Sequence, residues 1–448
     1  MIAARPVAQG TNSSCSVTAE RLQLYKDGLW IGGGHVLSAI AAMVGVRFIT
    51  EFAAPSLFGA FTLLNGILAL LQGILFQPMA QAALRYYSDF AVVDSTSVLK
   101  RHLFSTFLGR WLWGVALCTV VAIVDTFTQQ YLSVVVWLLL ILSLLLESWK
   151  TVEIVMHNAA RRQVAYSTLY TADSIARPAV MVLAAWVFGA SLESLLLGQI
   201  VGTLLVLIGF AAFSAKEKGA VFTAVFTKEG PPLPEVDHLK KGMTRFATPL
   251  VWTPIVGWIS GVADRYIVGA LFGLAQAGIY AGAYGLASRP LLMIGTISEA
   301  ALRPALYVAV ARGDRSSTHR ILAFWVGLNL LLAGTAAALL SLLNLRLVDW
   351  LLAKEYRSAS AELLAWLAFG HVPLLVAQAF ERLAYAHHRT RAVILVQAAS
   401  AGIAIVAAIL GAWWKGLMGV ALAVPVYFSL QLFLTIPITI QSTKEHTT

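Results

Sequence analysis

Two arginines stand inside long apolar stretches of the chain, and each directly precedes a proline. Arg177 lies in SIARPAV, and Arg289 lies in ASRPL. Arginine offers a rigid fork of N–H donors that suits phosphate or carboxylate, and the proline leaves nearby backbone groups without their helical partners. A charge in such surroundings is costly and is usually kept for function. We therefore predict that both arginines bind an anionic substrate. The alternative is structural pairing with a buried acid, such as Asp173, four residues before Arg177.

Two further arginines lie near the ends of other apolar stretches. Arg47 and Arg265 could bind the same substrate, or they could close a gate by pairing with Glu51 and Asp264. Long side chains at helix ends also reach the lipid headgroups without any such role. Candidate gating or ion-coupling residues are Asp264, Glu51, Asp173, His35 and His371.

Each kind of candidate has a simpler explanation. A histidine can carry a proton near neutral pH, but His35 and His371 have no acid close by in sequence and are more typical of hydrogen-bonded packing residues. Glu147, Lys150 and Glu153 follow one another at helical spacing, which favours mutual salt bridges over ion coupling.

The composition excludes a soluble protein. Of the 448 residues, 59% are hydrophobic and 12% are charged, whereas a soluble domain has roughly 25% charged residues. A bilayer core of about 30 Å needs about 20 apolar residues as a helix, and lipid leaves only helices for such segments. The chain is predicted to be an all-α membrane protein with about twelve transmembrane helices. The predicted spans are 29–49, 56–80, 103–124, 131–149, 166–188, 192–213, 246–269, 275–301, 320–345, 361–384, 392–414 and 416–440.

Charge distribution predicts the orientation. If the N-terminus is cytoplasmic, 24 of the 32 lysines and arginines lie on the inside, 6 lie outside and 2 lie within spans. Cytoplasmic loops carry such an excess of positive charge. The net charge of +10 therefore indicates topology rather than nucleic-acid binding, and both termini are predicted to be cytoplasmic.

The two halves of the chain share a weak repeat. VRFI at 46–49 matches DRYI at 264–267, and QAALR at 81–85 matches EAALR at 299–303 with the same separation. Between them, Gly59-Ala60-Phe61 corresponds to Gly278-Ile279-Tyr280, one residue out of step. Parallel repeats of this kind place a substrate cavity between two bundles. We predict six-helix bundles over 29–213 and 246–440, a cytoplasmic linker over 214–245, and cytoplasmic tails over 1–28 and 441–448.

Residues 257–306 resemble the seventh-to-eighth helix region of bacterial polysaccharide exporters, and the stretch from Gly32 to Tyr87 resembles the first hairpin of the same proteins. The matching pattern is carried by Asp264, Arg265, Gly273, Gly278, Tyr280 and Tyr284. The chain is thus similar to the oligosaccharide-lipid flippase branch of the multidrug/oligosaccharidyl-lipid/polysaccharide exporter superfamily.

That resemblance implies translocation of an undecaprenyl-pyrophosphate-linked glycan repeat unit across the bacterial inner membrane by alternating access, for O-antigen, capsule or exopolysaccharide synthesis. It implies a transporter rather than an enzyme, with no cofactor or metal. Membrane lipid, a glycan polymerase and chain-length machinery are the implied partners, and no nucleic acid is expected.

Two other functions stay open at this point. A cation-coupled multidrug antiporter of the same superfamily would need an embedded carboxylate in the first or seventh span; the first has none before Glu51, and the seventh has only Asp264 at its end. A membrane glycan polymerase or ligase would need a large outside loop, and the longest here is about 346–360. No nucleotide-binding motif supports ATP hydrolysis.

Overall fold

In the computed structural model the chain is described over residues 13–93, 95–128, 132–215, 234–387 and 389–445. These residues form helices joined by short turns, and none of them lies in a strand. The helices are α1 (Ser13–Phe52), α2 (Pro55–Leu75), α3 (Gln77–Val92), α4 (Thr96–Thr128), α5 (Val134–Ala159), α6 (Gln163–Phe188), α7 (Leu192–Ala215), α8 (Pro234–Ala247), α9 (Trp252–Phe272), α10 (Leu274–Ala311), α11 (Arg315–Leu342), α12 (Asn344–Leu351), α13 (Arg357–Ala386) and α14 (Thr390–Glu445).

Within the described ranges, 11 helices are long and apolar enough to cross a membrane. The last of them contains two passes, because the backbone leaves helical geometry at Lys415 and Gly416. Gly416 has φ 59°, a left-handed conformation that glycine adopts without strain. Gly411 and Gly419, on either side of this break, pack backbone against backbone, so the two halves of α14 form a hairpin. The prediction of an all-α protein with about twelve membrane passes is confirmed.

Some boundaries differ from the sequence prediction. The second span, predicted over 56–80, ends at Leu75, and α3 starts after Phe76 with Pro78 in its first turn. Proline suits a first turn because its missing N–H would have no helical partner there. Part of the predicted linker forms α8, which packs against α3 through the Tyr86 and Phe246 rings. Residues 216–233 lie outside the described ranges, and the domain boundaries stay a prediction.

The helices divide into two bundles along the chain. In the first half, α1 and α7 both pack against α6, and α5 packs against α4 and α7; in the second half, α13 packs against α10, α11 and α14, and α9 packs against α14. Across the interface, α2 meets both α9 and α10, and α1 meets α10. Two hydrogen bonds anchor α9 to α2, from Trp258 Nε1 to the Gly66 carbonyl at 2.7 Å and from the Tyr266 hydroxyl to the Leu63 carbonyl at 2.6 Å.

A symmetric glycine contact marks the axis between the bundles. A Cβ on Gly59 would overlap the Leu274 carbonyl oxygen and lie 2.9 Å from the Gly278 nitrogen; a Cβ on Gly278 would overlap the Pro55 carbonyl oxygen and lie 2.9 Å from the Gly59 nitrogen. These are the glycines that correspond in the sequence repeat. Reciprocal contact between corresponding residues is what a twofold relation produces, so the repeat has a direct structural counterpart. We call this end of the molecule the Pro55 end, and the opposite end, where α7 ends and α8 begins, the linker end.

Candidate functional site: a cationic cavity between the bundles

A cavity of about 410 Å³ lies between the two bundles. Its walls come mainly from α1, α2 and α6 of the first bundle and from α9 and α10 of the second. The charged side chains that line it are Asp173, Arg177, Arg265 and Arg289. The structure therefore brings together both arginines predicted within spans, one of the two predicted near span ends, and one candidate acid.

Helical spacing explains how α1 and α6 present one face to this cavity. Asp173, Arg177 and Met181 follow one another every four residues along α6, and Ala42 and Ile49 lie two turns apart on α1. Residues at these spacings lie on one side of a helix. Gly45 of α1 lies close to α6, since a Cβ added to it would lie 2.6 Å from the Pro178 ring.

Arg177 belongs to a compact cluster of four charges between α5 and α6. Its guanidinium group pairs with Glu147 and lies 2.9 Å from Asp173, while the Lys150 amine lies 2.7 Å from Glu147 and 2.9 Å from Asp173. Two cations and two anions cancel formally. The structure thus shows the pairing alternative for Arg177 and Asp173, although both still line the cavity, and it shows the predicted Glu147–Lys150 salt bridge.

Arg289 has a different environment. Its guanidinium group donates a hydrogen bond to the Ala42 carbonyl of α1, across the bundle interface. Within the part of the chain that the structure describes, no carboxylate lies within salt-bridge distance of it. A neutral carbonyl satisfies one donor but leaves the positive charge uncompensated.

Arg265 forms no salt bridge with a carboxylate within the described residues, although the neighbouring Asp264 carboxylate attracts its charge. Its guanidinium group lies 4.5 Å from the centre of the Tyr284 ring, a stacked arrangement typical of arginine. Asp264 does not pair with this guanidinium group. Its carboxylate accepts hydrogen bonds from the Tyr280 hydroxyl at 2.7 Å and from the Arg265 backbone N–H at 2.8 Å. A gate closed by an Asp264–Arg265 salt bridge is therefore absent from this conformation.

Arg47, which corresponds to Arg265 in the sequence repeat, has an acidic partner. Arg47 pairs with Glu51 one turn further along α1, on a partly exposed surface, and neither is among the residues that line the cavity. The repeat thus keeps an arginine in both halves but brings only the second to the cavity.

The two histidines lie among aromatic rings. His371 is fully buried, its Nδ1 lies 2.7 Å from the Leu367 carbonyl, and its ring packs 5.3 Å from Tyr284. His35 packs 5.0 Å from Tyr170 and 6.4 Å from Tyr166. Both have the aromatic packing expected of structural histidines, and a coupling role for either stays a prediction.

Glu381 is a buried acid that was not among the candidates predicted from the sequence. Glu381 on α13 is 2% exposed and accepts hydrogen bonds of 2.9 Å from Gln397 and Gln431. These glutamines lie on the two halves of α14, so one carboxylate joins three passes. The signal available in the sequence was a glutamate inside the predicted span 361–384, followed at once by Arg382.

The charges that line the cavity leave it cationic. Three guanidinium groups face it with a single carboxylate, and behind the wall Glu147 and Lys150 cancel each other. Charges interact several-fold more strongly at a partly buried site than in water. The geometry therefore suits an anion held between Arg265 and Arg289.

Comparison with known proteins identifies the family of the chain. A family model described as "Polysaccharide biosynthesis protein" matches residues 24–310, more than half of the chain. The chain belongs to the polysaccharide biosynthesis protein family. No curated protein matches it.

Solved structures show the same fold as this family member at low sequence identity. The lipid II flippase MurJ, in an inward closed conformation, has 12% identity and a TM-score of 0.70, and the match covers 94% of this chain and 90% of MurJ. A mutant of the Vibrio cholerae MATE transporter VcmN has 12% identity and a TM-score of 0.66, with coverage of 96% and 99%. A MOP-superfamily transporter from Pyrococcus furiosus, described as having a binding pocket of reverse polarity, has 9% identity and a TM-score of 0.58, with coverage of 95% and 96%. The transporter fold predicted from sequence is confirmed.

Proposed function

We propose that this protein is a flippase for undecaprenyl-pyrophosphate-linked oligosaccharide repeat units in the bacterial inner membrane, serving O-antigen, capsule or exopolysaccharide synthesis. The observation that carries the proposal is a pair of arginines, Arg265 and Arg289, that form no salt bridge within the described part of the chain and line a cavity between two symmetric bundles. The family description and the fold shared with a lipid II flippase support it.

In this proposal the pyrophosphate lies between the two guanidinium groups, the sugars occupy the rest of the cavity, and the polyprenyl tail stays in lipid at a lateral opening. Relative rotation of the bundles about their common axis alternates access between the two sides. The distribution of lysines and arginines supports an orientation with the linker end in the cytoplasm. No bond in the cargo has to be made or broken, so we infer a carrier rather than an enzyme.

A drug/cation antiporter is the competing function, and the site favours it less. A cationic drug would need an uncompensated carboxylate in the cavity. The single lining carboxylate, Asp173, is already paired with Arg177 and Lys150. A test of drug resistance in a sensitive host separates the two proposals, because the flippase should confer none.

The direct test is glycan export in a strain that lacks its own flippase. Arg265→Gln and Arg289→Gln each remove one charged donor, and a charged hydrogen bond contributes about 1.5–3 kcal/mol. Each variant should therefore bind undecaprenyl pyrophosphate about ten- to a hundredfold more weakly and should accumulate lipid-linked repeat units inside the cell.

Arg47→Gln is the matched control, because it removes an arginine of the same repeat that does not line the cavity. It should export glycan like the wild type at equal protein level. Wild-type export by the double variant Arg265→Gln/Arg289→Gln would remove the basis of the proposal.

A further inference from the structure

Two tyrosines continue the cavity face of α6 toward its N-terminal end. Tyr166, Tyr170, Asp173 and Arg177 are separated by four, three and four residues, which places them in one stripe along the helix. Asp173 and Arg177 line the cavity, so the tyrosines extend the same wall toward the linker end. His35 occupies the equivalent place on α1, seven residues before the cavity residue Ala42.

The three rings form one aromatic wall, defined here as His35, Tyr166 and Tyr170. The two tyrosine rings are nearly parallel, with 13° between their planes and 6.3 Å between their centres. The His35 ring meets Tyr170 at 60°. Tyr170 is 38% exposed, so a large part of its side chain is not covered by other protein groups.

Contacts other than these rings also hold α1 against α6. Two glycines of α1 leave no free space for a side chain, because a Cβ on Gly34 would lie 3.0 Å from Ser167 and one on Gly45 would lie 2.6 Å from Pro178. A hydrogen bond from the Ser38 hydroxyl to Thr171 adds to the same contact. Because the helices are joined elsewhere, the aromatic wall is available for a ligand.

The wall also lies close to the anion site. Tyr170 lies three residues before the cavity residue Asp173 on the same face of α6, which places it one turn from the cavity. A ligand whose phosphate groups lie in the cavity can therefore reach Tyr170 with its next chemical group.

We propose that the aromatic wall is a sugar subsite that binds the first hexose or hexosamine attached to the pyrophosphate; this inference rests on the proposed function. The face of an aromatic ring carries negative charge density, and the C–H groups on one face of a pyranose are weakly positive. Stacking between them needs a flat, partly exposed ring next to the phosphate site, which Tyr170 provides. Such contacts make the first sugar a determinant of specificity.

The test compares two probes with the purified full-length protein. One is undecaprenyl pyrophosphate, and the other is the same lipid carrying a single N-acetylhexosamine. The wild type should bind the sugar-bearing probe about two- to tenfold more tightly, as expected for one aromatic stacking contact. Tyr170→Leu should lower its affinity for that probe to the value for the bare lipid and should leave the bare lipid unaffected.

Two variants complete the design. Tyr170→Phe keeps the ring and should retain the preference. Tyr307→Leu removes a tyrosine of similar exposure, 37%, that lies near the C-terminal end of α10 and is not part of the aromatic wall, and it should also retain the preference. Equal losses for both probes in Tyr170→Leu would assign the ring a structural role and overturn the inference. A wild type that binds both probes equally refutes the subsite alone, whereas one that binds neither refutes the proposed function as well.

Discussion

Replacing Gly278 with alanine should hold the two bundles apart at the Pro55 end. The new methyl group would overlap the Pro55 carbonyl oxygen and approach the Gly59 nitrogen. Both are backbone atoms of a helix in the other bundle, so neither can rotate away as the tip of a side chain would. The helices can accommodate the methyl group only by separating.

The size of the effect follows from the kind of overlap. Overpacking a well-packed contact costs about 1–3 kcal/mol. At about 2 kcal/mol, the equilibrium between the state with this contact and the state without it shifts about 30-fold toward separation. A transporter that must form the contact in each cycle should slow by a comparable factor.

Distances between spin labels can measure this separation. Labels at Val134 and Leu345, one in each bundle and both exposed, would report the spacing at the Pro55 end in a background without Cys15 and Cys118. Gly278→Ala should shift the distance distribution to longer values. Gly285→Ala is the matched control, since it adds the same methyl group to the same helix where nothing lies within 4 Å. Identical distributions for the two variants would refute the reasoning.

The charge cluster and a helix cap give two further predictions. Glu147→Ala removes one acid from the cluster of Arg177, and the protein in detergent should lose about 2 kcal/mol of stability; this is less than the 3–5 kcal/mol of a fully broken buried pair, because one acid remains. Glu51→Ala, which breaks an exposed pair, should change the melting temperature little, and equal losses would contradict the difference in burial. Asp314 caps α11, and hydrogen bonds from Ser317 lower the pKa of its carboxyl group. The cap is therefore complete at neutral pH and is lost only as the pH falls below the ordinary aspartate pKa of about 3.9. Below that pH, hydrogen exchange in the first turn of α11 should become faster in the wild type but not in Asp314→Asn. An exchange rate in the wild type that does not change with pH would show that the cap does not titrate.

The helical passes were predictable because each is a long apolar segment, and a bilayer leaves such a segment little choice of structure. The breaks between neighbouring helices were harder to predict from the sequence. Helix α2 ends at Leu75 because Pro78 lies in the first turn of the next helix, α3. The hairpin at Gly416 falls at the predicted boundary between the spans 392–414 and 416–440, where a lysine and two tryptophans interrupt the apolar run.

The candidate site was predictable in its residues but not in its pairings. Proline-flanked arginines identified Arg177 and Arg289, yet only the fold shows that Lys150 crosses from α5 to share Asp173 with Arg177. Partners 23 residues or more apart leave no local pattern in one sequence. The exclusion of Arg47 from the cavity has the same origin, since it depends on how α1 is turned relative to α6.

The uneven pairing of charges has an electrical consequence for the proposed cycle. The four charges around Arg177 cancel within one bundle and move together, so a voltage across the membrane exerts no net force on them. Arg289 has no acidic partner within the described residues, so in the proposed cycle its charge is uncompensated when the cavity is empty and is neutralised by a bound pyrophosphate. Each elementary charge that crosses the full field exchanges about 2.3 kcal/mol per 100 mV. In this cycle the empty carrier responds to the membrane potential and the loaded carrier hardly responds. The potential can therefore drive the return step of the empty carrier without acting on the cargo.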